Sequence, residues 1–438
     1  MPGADAGADL HAARPSTYTC DVLVIGGGPS GSSAAYWLAE AGFDVLVVEK
    51  KHFPREKTCG DGLTPRSVRQ LYDMGLADEL ESHHRFEGLR ALAFGRELIL
   101  PWPSHSLYPS HGYVITRAEL DALVATRAEK AGAVFWQGAE AVEPLGQSAG
   151  AAGPALGAVV ADLDHKTTSQ VRATYVVVAD GANSRFGRAL GCQRDRSLPL
   201  GMALRGYYYS PRHAEPYIES HLDMTDKNGN VLPGYGWIFP VGDGRVNVGV
   251  GLVSSYSGWK DVNTSNLLAA FVESAPASWC LGPDTMCGPA TGGRLPMGLS
   301  VGPRVGPDYV LVGDAGGSIN PFNGEGIAYG YETGRIAAGC IADALRAGKV
   351  GSLAGYEARL DATYGTYYSV ASSFMNLMGR PRFMRWLVAT GMHSRVVMGW
   401  LLRIMSNLLR PESNGPPELA YRAATRVLAL RRRRAALG

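Results

Sequence analysis

The chain contains no Cys-x-x-Cys pair. Its six cysteines, at positions 20, 59, 192, 280, 287 and 340, are scattered over 438 residues. That spacing suggests neither a zinc site nor a disulfide framework, and it fits a reducing cytoplasm. No stretch reaches the roughly 18 uninterrupted apolar residues that a membrane-spanning helix needs. The C-terminal region comes nearest and is broken by Arg385, Arg395, Arg403 and Arg410. Residues 1–19 are rich in Ala, Gly and Pro and lack the apolar core of a secretory signal, so they read as a disordered tail. There is no internal repeat. Strong net charge is also lacking, at +2, but its distribution is uneven. From Ala362 onward twelve Arg stand against two Glu with no Lys, a net +10, leaving about −8 on the body. A basic end on an acidic body points to an anionic surface, lipid or nucleic acid.

A hydrophobic content of 46% with 19% charged residues describes an ordinary folded protein. Asp21–Ile25 and Asp44–Glu49 are short apolar runs suited to buried parallel strands, and Ser30–Glu40 between them reads as a helix. This β-α-β order builds parallel sheets. Tyr175–Ala179 and Tyr309–Val312 are two further buried-strand runs, and Gly146–Gly157 reads as an exposed loop. Residues 201–255 alternate instead, with a hairpin turn at Asp243–Gly244, as in an antiparallel sheet. After Gly355 the pattern is helical to the end, with Pro411–Pro417 as a linker before the last helix.

Between the first strand and its helix lies Gly26-Gly27-Gly28-Pro29-Ser30-Gly31. Gly26 permits the tight turn, Gly28 lets the backbone approach a pyrophosphate, and Gly31 allows close helix–strand packing. The helix N-terminus offers N–H groups to the phosphates. Glu49 ends the second strand, where a carboxylate can bind ribose hydroxyls and would repel a 2′-phosphate. The motif alone leaves FAD and NAD open. No second fingerprint exists, so a nicotinamide donor would have no Rossmann domain of its own here.

Three further segments follow in order: Thr116-Arg117-Ala118-Glu119-Leu120; Val178-Ala179-Asp180-Gly181-Ala182-Asn183-Ser184; and Leu311-Val312-Gly313-Asp314-Ala315 with Asn323-Gly324-Glu325-Gly326-Ile327. Together with the fingerprint they resemble the flavin-dependent group of aromatic hydroxylases and geranylgeranyl reductases, over roughly residues 20–345. The resemblance implies FAD. It implies that Asp314 bonds the ribityl chain, that Arg117 meets the FAD backbone, that Asp180 belongs to the cofactor site, and that Gly326-Ile327 open a helix facing the flavin ring. One departure is visible. Hydroxylases of this pattern carry Arg seven residues after the Asp of the Asp–Gly motif, where this chain has Gly187 followed by Arg188.

Two segments narrow the resemblance to the geranylgeranyl reductase family. Lys57-Thr58-Cys59-Gly60-Asp61-Gly62 is similar to its cysteine–glycine loop, and Pro233-Gly234-Tyr235-Gly236-Trp237-Ile238-Phe239-Pro240 to its aromatic signature. Cys59–Arg66 and Leu232–Pro240 most resemble the branch of actinobacterial menaquinone reductases, which saturate an isoprene unit of a quinone tail. The implied fold is a doubly wound α/β FAD-binding domain in three parts (20–85, 105–200 and 291–354). An antiparallel-sheet substrate domain (86–104 and 201–290) and C-terminal helices (355–438) complete it.

Tyr235, Trp237 and Phe239 share one strand face, either as an apolar wall for a prenyl chain or as domain core. Cys59 lies in a loop that the resemblance sets against the flavin ring together with Gly60, Asp61 and Gly62. Its thiol is either a participant in the chemistry or a structural group, and periodicity does not separate the two. An isolated trisubstituted alkene needs a proton at one carbon as hydride reaches the other, and Cys59, a tyrosine or water are the candidates. The electron donor is external, NAD(P)H or a protein carrier.

With Arg395–Arg410 taken as a helix, Arg395, Gly399, Arg403, Ser406, Asn407 and Arg410 fall on one arc. Trp400, Leu401, Met405 and other apolar residues fill the rest. Such a helix suits an anionic membrane surface on the cytoplasmic side, or else packs its apolar face on the FAD domain. Nucleic acid is disfavoured, because the basic residues accompany aliphatic faces and not an aromatic platform. The reading is therefore a peripheral enzyme reducing the polyprenyl tail of menaquinone. Geranylgeranyl diphosphate or a geranylgeranyl lipid is the alternative substrate, and aromatic monooxygenation the alternative chemistry.

Overall fold

The computed structural model describes residues 14–146, 156–225, 231–256, 258–348, 353, 355–410 and 412–437, with side chains of the last helix as far as Val427. The first sheet grows from Thr17–Ile25. This strand pairs in parallel with Val45–Glu49 on one side and Thr167–Val178 on the other. Val134–Gln137 and Tyr309–Leu311 add parallel strands at the flanks, and Leu156–Asp162 and Ala139–Leu145 continue antiparallel. Because side chains alternate across a strand, the apolar runs divide between two cores. Val22, Val24, Val45, Val47 and Val177 face the helices Pro29–Glu40, Arg117–Lys130 and Ile327–Arg346. Leu23, Ile25, Leu46, Val48, Val176 and Val178 face the other way. There they meet the antiparallel strands and Phe186 of the short helix Arg185–Ala189.

The second sheet has seven strands, in the order Met286–Pro296, Leu200–Tyr209, Arg245–Val253, Gly234–Pro240, Tyr217–His221, Gly88–Ala93 and Arg96–Pro101. All neighbours are antiparallel except the junction of Tyr217–His221 with Gly88–Ala93, which is parallel. The helix Thr264–Ser274 covers one face through Leu267, Leu268 and Phe271.

Five details differ from the sequence expectation. The first strand begins at Thr17, inside the segment read as tail, because Thr17–Cys20 ladder onto 170–173 and Arg14 bridges to Asp162 at 2.8 Å. Met286–Pro296 carries the second sheet past position 290. The supposed loop 146–157 lies outside the described residues at 147–155, and Gly157 is a buried strand residue. The C-terminal helix runs only over Arg395–Met405, because Asn407 turns the chain at φ +53°. Its apolar side divides: Met398 and Leu402 pack with Leu100 and Trp102 at the edge of the substrate sheet, while Ile404 and Met405 pack on the FAD-side core. Arg403 pairs with Glu418, Arg410 bonds Ser104, and Ser406 is buried. Those three face the protein, not a surface. The last helix starts at Pro416, inside the expected linker. Among the described residues no helix is long and apolar enough to cross a membrane.

Candidate active site

The dinucleotide fingerprint folds into a turn that only glycine fits. Gly26 adopts φ +100°, and a Cβ on it would lie 2.5 Å from the Ala179 carbonyl oxygen. A Cβ on Gly31 would lie 1.9 Å from the Gly26 carbonyl oxygen, so the helix starts directly against the strand. At Gly28 the space is open, the nearest atom being Arg55 Nη2 at 3.7 Å. The helix begins at Pro29 with no side-chain cap and no acid in its first turn, which leaves its N-terminal N–H groups and positive dipole end for an anion. The Asp314 segment closes on the same point: Gly313, at φ +58°, touches Ser30. Asp314 Oδ1 is 3.4 Å from where a Gly326 side chain would begin, and Lys57 Nζ is 3.5 Å from Asp314 Oδ2. The helix Ile327–Arg346 likewise starts uncapped after Gly326. Two uncapped helix ends, an open glycine turn and a carboxylate between them fit FAD. Its pyrophosphate would go at Gly28–Gly31, its ribityl chain at Asp314 and its ring near Gly326–Ile327.

Two residues expected at the cofactor have protein partners of their own. Buried Glu49 accepts the Gly27 N–H at 2.9 Å and the Lys51 N–H at 3.1 Å, and it pairs with Arg55 at 3.2 Å. Arg55 also holds Asp121 at 3.0 Å, and Asp121 takes both arms of Arg117 at 2.8 and 2.7 Å. Arg117 thus ends an ion-pair chain, Glu49–Arg55–Asp121–Arg117, and also faces the Cys59 thiol. Arg55 escaped the sequence reading, although an arginine six residues beyond Glu49 was the signal. Asp180 accepts the Phe186 N–H at 3.0 Å through one oxygen, capping the Arg185–Ala189 helix, while its buried Oδ1 has no protein partner.

The cysteine loop is hung from the substrate sheet. Asn247 donates to the Cys59 carbonyl at 2.9 Å and to Asp61 Oδ2 at 2.8 Å, while Trp237 Nε1 donates to Asn247 at 2.9 Å. Tyr207 donates to Asp61 at 2.5 Å, and Arg205 reaches the Cys59 carbonyl at 3.2 Å. Asp61 stands at φ +64° with no exposed surface. Burial pushes its acid up to about 6, against the pull of Tyr207 and Arg205. Cys59 Sγ accepts the Asp61 N–H at 3.3 Å. Burial also raises the Cys59 thiol, outweighing nearby Arg117, so at neutral pH it is a thiol and not a thiolate.

The aromatic row faces this loop. Ring centroids lie 5.9 Å apart for Tyr235–Trp237 and 6.2 Å for Trp237–Phe239. Phe239 comes within 3.2 Å of a Cβ position at Gly60 and 3.1 Å of one at Gly62. Tyr235 donates to the Asn323 carbonyl at 2.7 Å, which joins the row to the loop preceding the flavin-side helix. Fingerprint helix, Cys59 loop, aromatic strand and 323–327 loop thus converge. Asp61, expected with its loop at the flavin ring, lies in this convergence, and Tyr207, Asn247, Arg205 and Glu325, which had no assigned role in the sequence, complete it.

Comparison with known proteins shows the family. The profile of the FAD binding domain family matches residues 19–203. The chain is 40% identical over 392 residues to a menaquinone reductase of Mycolicibacterium smegmatis, covering 90% of this chain and 92% of that one. It is 31% identical to a digeranylgeranylglycerophospholipid reductase of Thermoplasma acidophilum, covering 75% and 79%. A crystal structure of a geranylgeranyl bacteriochlorophyll reductase-like protein from Thermoplasma acidophilum shares the fold, with TM-score 0.71, 24% identity and coverage of 92% and 96%. A flavin-dependent brominase shares it more distantly in sequence, with TM-score 0.68, 19% identity and coverage of 94% and 100%. This chain belongs to the family of FAD-dependent reductases that contains the menaquinone reductases and the digeranylgeranylglycerophospholipid reductases.

Proposed function

We propose that the enzyme saturates a carbon–carbon double bond of a polyprenyl chain, most specifically in the isoprenoid tail of menaquinone. The observation that carries this is the row Tyr235–Trp237–Phe239, laid against the Cys59–Gly62 loop and ending at the 323–327 loop. A row of rings offers an unbranched apolar track that a flat quinone head does not need and a prenyl tail does. The relatives' names support the same substrate class, and those at about 31% identity make a geranylgeranyl lipid the second candidate.

FAD, when bound and reduced, supplies hydride to one alkene carbon. The chain's own residues do the rest. Gly26, Gly28, Pro29, Ser30 and Gly31 receive the cofactor's phosphates, and Asp180, Asp314, Gly326 and Ile327 border its remaining length. Glu49 and Arg117 stiffen the phosphate turn through Arg55 and Asp121. The aromatic row orients the alkene, and the Cys59 loop, tied down by Asn247, keeps water from it; positioning of this kind supplies much of the barrier reduction. Electrons come from outside, from NAD(P)H or a protein carrier, since the chain has one dinucleotide fingerprint. The lipid is taken from the cytoplasmic face of the membrane, where exposed Trp386, Val396 and Val397 accompany exposed Arg380, Arg382, Arg385 and Arg395.

The test is anaerobic incubation of reduced enzyme with menaquinone, followed by mass spectrometry. Gain of two hydrogens in the tail with flavin reoxidation is expected. An unchanged tail together with oxygen-dependent hydroxylation of an aromatic compound would refute the reading.

A further inference from the structure

A second carboxyl stands at the end of the aromatic row. Glu325 lies in the 320–325 loop, whose backbone is pinned by Asn323 Oδ1 to Glu325 N at 3.0 Å and by Asn320 N to the Glu325 carbonyl at 2.9 Å. Its Oε1 accepts hydrogen bonds from Thr64 and, at 3.3 Å, from Ser67 at the start of the Pro65–Asp73 helix. Its Oε2 is buried and has no partner. Arg66, the cation that bears on it, is already committed: it binds Glu332 through two arms, at 2.7 and 2.9 Å, and Tyr364 donates to the same carboxylate at 2.5 Å. The next residue but one, Ile327, opens the helix on the flavin side, and Tyr235 donates to Asn323, two residues before Glu325.

Resting on the function proposed above, we propose that Glu325 is the acid that protonates the alkene, delivering its proton from Oε2. In this step the π bond opens. The carbon that does not take the flavin's hydride takes the proton of Glu325, two C–H bonds form, and the carboxylate left behind is reprotonated by water. Thr64 and Ser67 hold Oε1, which fixes Oε2 as the oxygen that carries the proton. Asp61 also has a buried oxygen without a partner, Oδ1, but it has no exposed surface at all and lies under the loop, tied through Oδ2 to Tyr207 and Asn247, whereas Glu325 is only part-buried at the end of the aromatic row. Cys59 keeps its proton, but burial makes its thiol a weaker acid than a free one, and its sulfur is engaged by the Asp61 N–H at 3.3 Å.

The electrostatics agree. Burial pushes the Glu325 acid up to about 7. Thr64, Arg66 and Ser67 oppose the shift, and Glu332 adds to it. The other groups facing this cluster, Tyr108, Tyr235, Tyr329, Tyr367 and Tyr368, all stay neutral at that pH. An acid tuned near the working pH is what general acid catalysis needs.

The sign follows directly: the proton is present below about pH 7 and lost above it. Prenyl reduction by the wild-type holoenzyme is therefore expected to fall on the alkaline side of that value. Glu325→Gln keeps the shape and the acceptor for Thr64 and Ser67 but has no proton to give. It is expected to retain FAD and bind the prenyl quinone, to lose about 10²-fold or more in rate, the scale of acid catalysis, and to lose the alkaline limb. A readout independent of turnover is infrared difference spectroscopy of the oxidised holoenzyme between pH 6 and 9. A carboxylic-acid C=O band with a midpoint near 7 is expected in the wild type and absent in the variant. The inference is overturned if Glu325→Gln reduces the tail within a few-fold of wild type, if Asp61→Asn and not Glu325→Gln removes the alkaline limb, or if the band is unaffected by the substitution. Failure of the wild type to reduce any prenyl chain, with FAD bound, would instead sink the substrate reading and this step with it.

Discussion

Trp237 lies flat on Gly249 of the neighbouring strand, so closely that a Cβ at Gly249 would sit 2.1 Å from the indole. The two are directly opposite in the antiparallel register. The missing side chain is what lets the indole lie down with its Nε1 on Asn247, whose amide in turn holds the Cys59 carbonyl and Asp61. One glycine thus sets the height of the aromatic row and the position of the cysteine loop.

Gly249→Ala is accordingly expected to lift Trp237 and break its bond to Asn247. Overpacking costs about 1–3 kcal/mol, and the loop loses its tether. The variant should fold and retain FAD, because the fingerprint is untouched, while prenyl reduction falls by at least an order of magnitude. Flavin content measured beside turnover separates the two effects. Unchanged turnover would show that the indole position does not matter.

Arg55 joins two carboxylates that belong to different parts of the FAD-binding domain, Glu49 at the end of the second strand and Asp121 on the helix Arg117–Lys130. All three are nearly fully buried. Arg55→Met removes the cation and leaves Glu49 with backbone donors only, while Asp121 keeps Arg117. Breaking a buried pair by deleting one partner costs about 3–5 kcal/mol. Urea denaturation should report a loss of that order, and FAD should bind more weakly because the Gly27 N–H is held by Glu49. A variant of wild-type stability would mean that the bridge contributes nothing.

The parts that were legible in the sequence are those whose geometry is local. Gly26–Gly31 must form a turn between strand and helix whatever surrounds it, and Tyr235, Trp237 and Phe239 share a face by strand periodicity. The partners of Arg117 were also legible in principle, since Asp121 is four residues on along a helix, yet the family pattern directed the arginine to FAD. The meeting of Asn247 with Asp61 was not legible. They are 186 residues apart and meet only because the second sheet lies against the cysteine loop. Glu325 stood in a quoted motif, but its character comes from burial and from Arg66 being committed to Glu332, neither of which has a sequence signature. The C-terminal amphipathic arc failed for a simpler reason. A 100° step assumes an unbroken helix, and Asn407 breaks it.

Asp61 carries a stability prediction. Its acid is raised from 3.8 to about 6 in the folded protein, chiefly by burial, so the native state binds the proton more tightly than the unfolded chain. Stability is then lost as pH rises from about 4 through about 6, and the cost is fully present above that. Asp61→Asn retains an oxygen for Tyr207 and Asn247 and carries no charge. At pH 8 it should be more stable than wild type by up to about 3 kcal/mol, two pKa units at 1.36 kcal/mol each, and the gain should vanish near pH 4. Thermal denaturation at both values decides it. A variant less stable than wild type at pH 8 would show that Tyr207 and Arg205 more than offset the burial of the charge.

The helix Pro381–Gly391 presents Trp386, 59% exposed, with Phe383 5.8 Å away, and the next helix begins with exposed Arg395, Val396 and Val397. Arg382 and Arg385 are exposed on the same helix, whereas Arg403 and Arg410 are turned inward. An interfacial aromatic ringed by arginines fits an anionic bilayer surface, where each basic residue contributes about 1 kcal/mol. Replacing Arg382, Arg385 and Arg395 by Ala should therefore weaken binding to phosphatidylglycerol vesicles by about 100-fold, since 1.4 kcal/mol is tenfold. Trp386→Ala should weaken it further in a way that added salt does not mimic. Vesicle co-sedimentation of the full chain measures both, with phosphatidylcholine vesicles as the uncharged control. Equal binding to the two lipids, or none to either, would remove the membrane from the account, and the prenyl substrate would then have to be delivered by a carrier.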